Sequence, residues 1–146
     1  METATHRIEV QAPAQACYDW WRPLTRLPEI FSDVESVEAL TEDGSRTRWK
    51  VAGPAGKTLE WEARITEDAA PHRIAWTTVD AADPDVSNGG VVVFEDKGDG
   101  RTGLEVSLEY APPGGKVGAA VASLLADPQR KVERACTEFK RVIETR

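Results

Sequence analysis

The sequence predicts an α+β fold in which a curved antiparallel sheet of about seven strands wraps a long C-terminal helix. Three observations carry the prediction. The middle of the chain alternates apolar and polar residues with period two, the region from Gly115 onward switches to a helical period, and short Gly-, Pro- and Asp-rich joints separate the alternating segments. Short joints of this kind make hairpins, so neighbouring strands run antiparallel.

The elements follow in chain order. His6 to Gln11, with Ile8 and Val10 apolar, reads as a first strand. Pro13 opens a helix that carries Cys17, Tyr18, Trp20 and Trp21, and Pro23 ends it early. A second short helical piece places Leu27, Ile30 and Phe31 on one side, with Pro28 near its start. Six strands are then expected: Val34 to Leu40, Thr47 to Ala52, Thr58 to Thr66, Arg73 to Val79, Gly90 to Glu95 and Gly103 to Tyr110. Parity turns Thr47, Trp49, Val51, Leu59, Trp61, Ala63, Ile65, Leu104, Val106, Leu108 and Tyr110 toward one dry face. Centring the last hairpin on Asp99 pairs Phe94 with Leu104 and Val92 with Val106, which brings Asn88 inward opposite Tyr110. Pairing Ile65 with Ile74 across the Pro71 loop turns Trp76 and Thr78 inward as well. The closing helix buries Val117, Ala120, Val121, Leu124, Leu125, Val132, Ala135, Cys136, Phe139, Val142 and Ile143, with a kink or restart at Asp127-Pro128. A curved sheet with one apolar face around one helix is a helix-grip arrangement.

Composition narrows the function. The 146 residues make a single domain over 1–146, long enough to bury a core without metal or disulfide staples. A formal net charge of -7 opposes nucleic-acid binding, which needs a positive field. No apolar leader core and no stretch long enough to span a bilayer appear, so no integral membrane segment is expected and the expected location is the cytoplasm. Cys17 and Cys136 fall on apolar helix faces and read as buried thiols. His6 and His72 have no partners at metal-ligand spacing, so no metal site is expected, and no cofactor is called for. Gly53-Pro54-Ala55-Gly56-Lys57-Thr58 lacks the first glycine of a phosphate loop and lies between two strands, where it reads as a turn. Gly114-Gly115-Lys116-Val117-Gly118 opens the last helix but lacks a Rossmann spacing and reads as a hinge at the pocket mouth, and no Gly-x-Ser-x-Gly is present.

Several spaced motifs also resemble one family. Tyr18, Trp21, Leu24, Leu27-Pro28 and Phe31 match its aromatic-rich first helices, and Glu60-Trp61-Glu62-Ala63-Arg64-Ile65 its acidic-Trp-acidic strand. Arg73-Ile74-Ala75-Trp76, Asn88-Gly89-Gly90-Val91-Val92-Val93-Phe94 and Phe139-Lys140 match three further signatures. On these residues the chain resembles the START-like (SRPBCC) superfamily, in particular its bacterial polyketide cyclase/dehydrase-type proteins. That resemblance implies the helix-grip fold and an internal pocket. Its aromatase/cyclases place Arg, Tyr, Trp and sometimes His or Asp in that pocket, a set that does not map onto this chain.

The aromatic residues define the expected site. Trp21, Phe31, Trp49, Trp61, Trp76, Thr78, Phe94, Tyr110, Leu124, Cys136 and Phe139 are the expected ligand-binding residues, with Asn88, Thr78, Tyr110 and Tyr18 the polar groups facing inward. The first reading is a protein that binds a small hydrophobic or aromatic molecule, a lipid, quinone or polyketide-like compound. The alternative, which the resemblance allows, is a polyketide cyclase, aromatase or dehydratase acting on a carbonyl-bearing chain. Tyr110 or Tyr18 would then donate the proton and Asn88 would orient the carbonyl. A third reading, an interaction module with a packed interior, predicts no cavity above roughly 300 Å³. The oligomeric state stays open.

Overall fold

Strand β1 (Glu2–Val10) is followed by helix α1 (Ala14–Trp21) and a 3₁₀ turn (Leu27–Glu29). Strands β2 (Val34–Ala39), β3 (Arg46–Ala52), β4 (Thr58–Ala69), β5 (Arg73–Thr78), β6 (Asn88–Gly98) and β7 (Arg101–Tyr110) come next, and helix α2 (Pro128–Glu144) closes the described chain. These elements belong to a computed structural model that describes residues 2–52, 56, 58–79, 88–110 and 128–145. The expected first half of the last helix, with Leu124, the Asp127 cap and the Gly114-Gly115 hinge, lies outside the described residues. The described helix begins at Pro128, a position where proline costs no hydrogen bond.

All seven strands join one antiparallel sheet in the order β1-β7-β6-β5-β4-β3-β2. The first strand is longer than expected for a physical reason. β1 starts at Glu2 rather than His6 because its polar first residues are held by pairing with Leu108–Tyr110 of β7, a partner that local alternation does not reveal. The hairpin between β6 and β7 turns through Asp99 and Gly100, whose φ angles of 56° and 73° are the left-handed pair of a primed turn. Its register matches the expectation, with Phe94 opposite Leu104, Val92 opposite Val106 and Asn88 opposite Tyr110.

The β4–β5 register corrects the expectation. Ile65 faces Trp76, not Ile74, because β4 runs on to Ala69 and carries a bulge between Ile65 and Glu67. The bulge keeps Ile65 on the face that Trp76 occupies. Without it, the pairing of Ala69 with Arg73 would continue to put Ile65 opposite Thr77 and off the inner face, where Trp76 is held by the pairing of β5 with β6.

α2 lies along β1, the edge of the sheet, and its polar side chains occupy that strand's open backbone groups. Gln129 accepts the Thr5 N–H at 3.2 Å and donates to the Thr5 carbonyl at 2.7 Å. Lys140 donates to the Glu9 carbonyl at 3.0 Å, and Glu144 accepts the Gln11 N–H at 2.8 Å. The edge is thus closed to further pairing at these groups. Beneath it, Val10, Ile74, Val92, Leu104 and Val106 of the sheet pack with Trp20, Trp21 and Phe139 of the two helices, all at 1 % exposure or less. Cys17 and Cys136 are free thiols in this core, and burial pushes them up to about 11 and about 12, so both stay protonated and unreactive at neutral pH.

A half-buried clamp ties α1 to β4. The Tyr18 hydroxyl donates to Oδ1 of Asp68, Arg22 Nε donates to Oδ2 at 2.7 Å, and Arg22 Nη2 reaches the Asp43 carbonyl at 3.1 Å. Burial raises the Asp68 carboxyl, but the hydrogen bonds from Tyr18 and Arg22 and the guanidinium charge outweigh it and hold the group below its ordinary value. Burial, and then the Asp68 carboxylate, push the Tyr18 phenol up to about 12. A depressed carboxylate supplies stability that is complete above the ordinary pKa near 4 and is lost as pH falls through the folded value. Asp68→Asn is therefore expected to lower unfolding free energy at pH 7 by about 1–2 kcal/mol and to flatten the acid side of the stability profile. Urea melts between pH 2 and 7 measure both effects.

Candidate functional site

The inner face of the sheet is covered unevenly. Where α1 and α2 press on it the interior is solid, and beyond them it opens into a cavity of about 400 Å³. Leu27 to Val34 form one wall, Trp49, Val51, Trp61, Trp76, Asn88, Gly89 and Leu108 line the sheet side, and Lys131, Arg134 and Glu138 face it from α2. The volume exceeds the roughly 300 Å³ that a packed interior allows.

Three indoles give this wall its character. Trp49 stacks on Trp61 at 6.3 Å between ring centroids and 20° between planes, and on Trp76 at 6.2 Å and 26°. Alternation places them, since each occupies an inward position of β3, β4 or β5 and Trp49 pairs directly with Trp61 across the strands. Trp49 Nε1 donates to Thr47 Oγ1 at 2.8 Å, and Thr47 is 1 % exposed, so the hydroxyl fixes the ring's orientation from within the sheet. Trp61 Nε1 is buried without a hydrogen-bond partner among the described residues. Leu24 adopts φ 60°, an unusual left-handed conformation for a branched side chain, and this turn leads the chain from α1 into the Leu27 to Val34 wall while keeping Leu24 buried.

Among the described lining residues the charged side chains lie at the rim. Lys131 Nζ pairs with Asp33 Oδ2 at 2.5 Å, joining α2 to the loop before β2, and Glu138 is held by Arg141 at 2.9 Å. Glu29, Glu109 and Arg134 are exposed rim residues. Among the described residues four carboxylates stand against two cations, a net-acidic rim that does not favour an anion. Among the described residues, Asn88 and Ser32 are the neutral polar residues on the lining. The Asn88 backbone N–H donates to Thr78 Oγ1 at 3.4 Å.

The residues singled out from sequence separate into groups. Phe31, Trp49, Trp61, Trp76 and Asn88 come together on the cavity lining. Thr78 stands beside Asn88, and Tyr110 pairs with Asn88 across the strands while packing against the core rather than lining the cavity. Trp21, Phe94, Cys136 and Phe139 belong to the solid half, where Trp21 and Phe139 meet at 5.7 Å and Phe94 meets Tyr18 edge-on at 6.1 Å. Tyr18 is committed to the Asp68 clamp. Leu124 is outside the described residues. The rim residues Lys131, Arg134 and Glu138 were not singled out, although their i, i+3, i+7 spacing marks one helix face. Among the described residues no helix is long and apolar enough to cross a membrane, and no three His, Cys, Asp or Glu side chains group as metal ligands.

Comparison with known proteins places this geometry in context. The profile of a family described as polyketide cyclase/dehydrase and lipid transport matches residues 10–136. An uncharacterised 17.2 kDa protein of Streptomyces lincolnensis is 30% identical over 146 residues, covering 100% of this chain and 92% of its own. The granaticin polyketide synthase bifunctional cyclase/dehydratase of Streptomyces violaceoruber is 28% identical over 106 residues, 72% of this chain but 32% of that protein. A crystal structure from Deinococcus radiodurans superposes with TM-score 0.77 at 30% identity, covering 99% of this chain and 98% of that one. The helix-grip fold recurs in a START superfamily protein of Mycobacterium smegmatis, at TM-score 0.70 and 16% identity over 98% of this chain and 97% of that one.

The division into a solid and a hollow half is measurable. Phe139→Ala, in the solid half, is expected to cost about 3–5 kcal/mol, while Phe31→Ala, on the cavity wall, costs about 1 kcal/mol or less. Chemical denaturation of the two variants compares them directly.

Proposed function

Because the chain belongs to the polyketide cyclase/dehydrase and lipid transport family, we propose that it binds a small apolar molecule with a flat conjugated part, such as a quinone, a polyketide-like compound or a lipid bearing such a group, in the cavity between sheet and helix. The observation that carries this reading is the row of three near-parallel indoles facing a cavity of about 400 Å³. A planar ligand extends such a stack at about 0.5–1.5 kcal/mol per ring contact beyond the area it buries. Ten buried ligand carbons contribute about 8 kcal/mol before the cost of association, which suffices for binding in the micromolar range or weaker. The net-acidic rim suits a neutral ligand. The place of action we propose is the cytoplasm.

The second reading is a cyclase or dehydratase acting on a carbonyl-bearing chain held in the same cavity, and the likeness to the granaticin cyclase/dehydratase favours it. In that reading Asn88, on the lining, orients a carbonyl, and Tyr110, on the neighbouring strand position, supplies a proton. That no His, Asp, Glu, Lys or Arg lines the cavity away from the rim among the described residues supports binding as the preferred reading.

Binding is tested with N-phenyl-1-naphthylamine, a neutral planar fluorophore. Saturable binding is expected, with Trp49→Ala weakening it about 10-fold. Failure to saturate would remove the binding reading. If Asn88→Ala and Tyr110→Phe both fold and leave turnover of a carbonyl-bearing substrate unchanged, the catalytic reading fails.

A further inference from the structure

The glycines at the start of β6 lie beside the cavity, and one of them meets Trp76 alone. Trp76 pairs with Gly90 across the strands, and the six-membered ring of its indole lies over that glycine on the inner face. A Cβ added at Gly90 would fall 2.3 Å from Trp76 Cζ2, 2.7 Å from Cη2 and 2.8 Å from Cε2. That is about 1 Å inside the 3.4 Å at which ordinary contact begins. The adjoining Gly89 is different. Its added Cβ would meet the Trp76 carbonyl oxygen at 2.6 Å and the Thr77 Cα at 3.4 Å, both backbone atoms, so Gly89 serves the close approach of β5 to β6.

Both glycines are buried, and neither has a left-handed φ. Gly90 is therefore not required by its backbone conformation. What it supplies is room for one indole to lie flat on the sheet, and that indole stacks on Trp49 and lines the cavity. A ring pushed off β6 is displaced toward the inner side of the sheet, where the Trp49 ring and the cavity lie.

We propose that Gly90 is a specificity-determining residue: by letting Trp76 lie against β6 it keeps the cavity wide enough for the flat part of the ligand, and any larger residue there narrows the site toward thin, flexible chains. The identity of the ligand rests on the binding reading above; the seating of Trp76 by Gly90 does not. Gly90 never touches the ligand in this account and acts through the indole.

The experiment is a double-mutant cycle of Gly90→Ala and Trp76→Ala, read in two ways. Near-ultraviolet circular dichroism reports the stacked indoles without any ligand, and titration with N-phenyl-1-naphthylamine and, by calorimetry, with 1-decanol reports the cavity. Gly90→Ala is expected to change the tryptophan dichroism, to weaken the planar probe about 10-fold and to leave 1-decanol within about 3-fold. In the Trp76→Ala background the same substitution is expected to change neither ligand by more than about 2-fold, since the ring it displaces is gone. Equal losses in both backgrounds, or unchanged dichroism and affinity in Gly90→Ala, would overturn the proposal. If Gly90→Ala does not fold, recovery of folding in the double variant supports the clash with Trp76, and failure of the double variant refutes it. Should neither probe bind any variant, the binding reading fails while the dichroism cycle still decides the role of Gly90.

Discussion

The ring of Trp49 touches both Trp61 and Trp76, and the open half of the molecule depends on that contact. Leucine or valine at these positions would give way and let the wall relax into the space beside it. Indoles are rigid, and here each is fixed separately. Thr47 holds the Trp49 N–H, the direct strand pairing holds Trp61 opposite Trp49, and Gly90 gives Trp76 a flat bed. A wall whose parts are set independently does not collapse when the cavity is empty, which is the condition for a preorganised site.

The other half of the molecule makes the opposite use of the same residue types. Trp20, Trp21 and Phe139 meet at tilted and edge-on angles, with centroids 5.1 to 5.8 Å apart, and leave no exposed surface. This cluster fixes α1 and α2 on the sheet and so determines where the covered region stops. Polar contacts reinforce the same placement: Gln129, Lys140 and Glu144 hold α2 along β1, and the Tyr18–Asp68–Arg22 clamp holds α1 against β4. Stability and vacancy are thus assigned to different ends of one continuous sheet.

Much of this was legible in the sequence, because period-two alternation fixes a side chain's face regardless of what packs on it. The inward residues of β3, β4 and β7 follow from parity, and centring the last hairpin on Asp99 gives the β6–β7 register because the bulge between Asp96 and Gly98 adds one residue to the two-residue Asp99-Gly100 turn. Parity fails where the count is broken. The bulge after Ile65 leaves no mark in the alternation, so the pairing of Ile65 with Trp76 could not be read, although the inward direction of Trp76 survives by two residues' offset. Parity also gives a direction without a depth. Phe94 and Trp76 both point inward from neighbouring strands, yet Phe94 packs on Tyr18 while Trp76 lines the cavity, because the helices cover one end of the sheet and not the other. The rim stripe Lys131, Arg134 and Glu138 was present as helical spacing, but only the position of α2 shows that it faces the cavity.

The proposed function requires the cavity to hold a molecule rather than merely to exist. Native mass spectrometry of the protein isolated gently from the cells that make it, compared with the same sample after denaturation, tests this most directly. The account predicts a discrete additional mass, lost on denaturation, that belongs to an uncharged compound with a planar conjugated part. A bound species that is anionic or has no planar portion would contradict it, as would a native mass equal to the bare chain from cells in which added planar apolar compounds also fail to be retained.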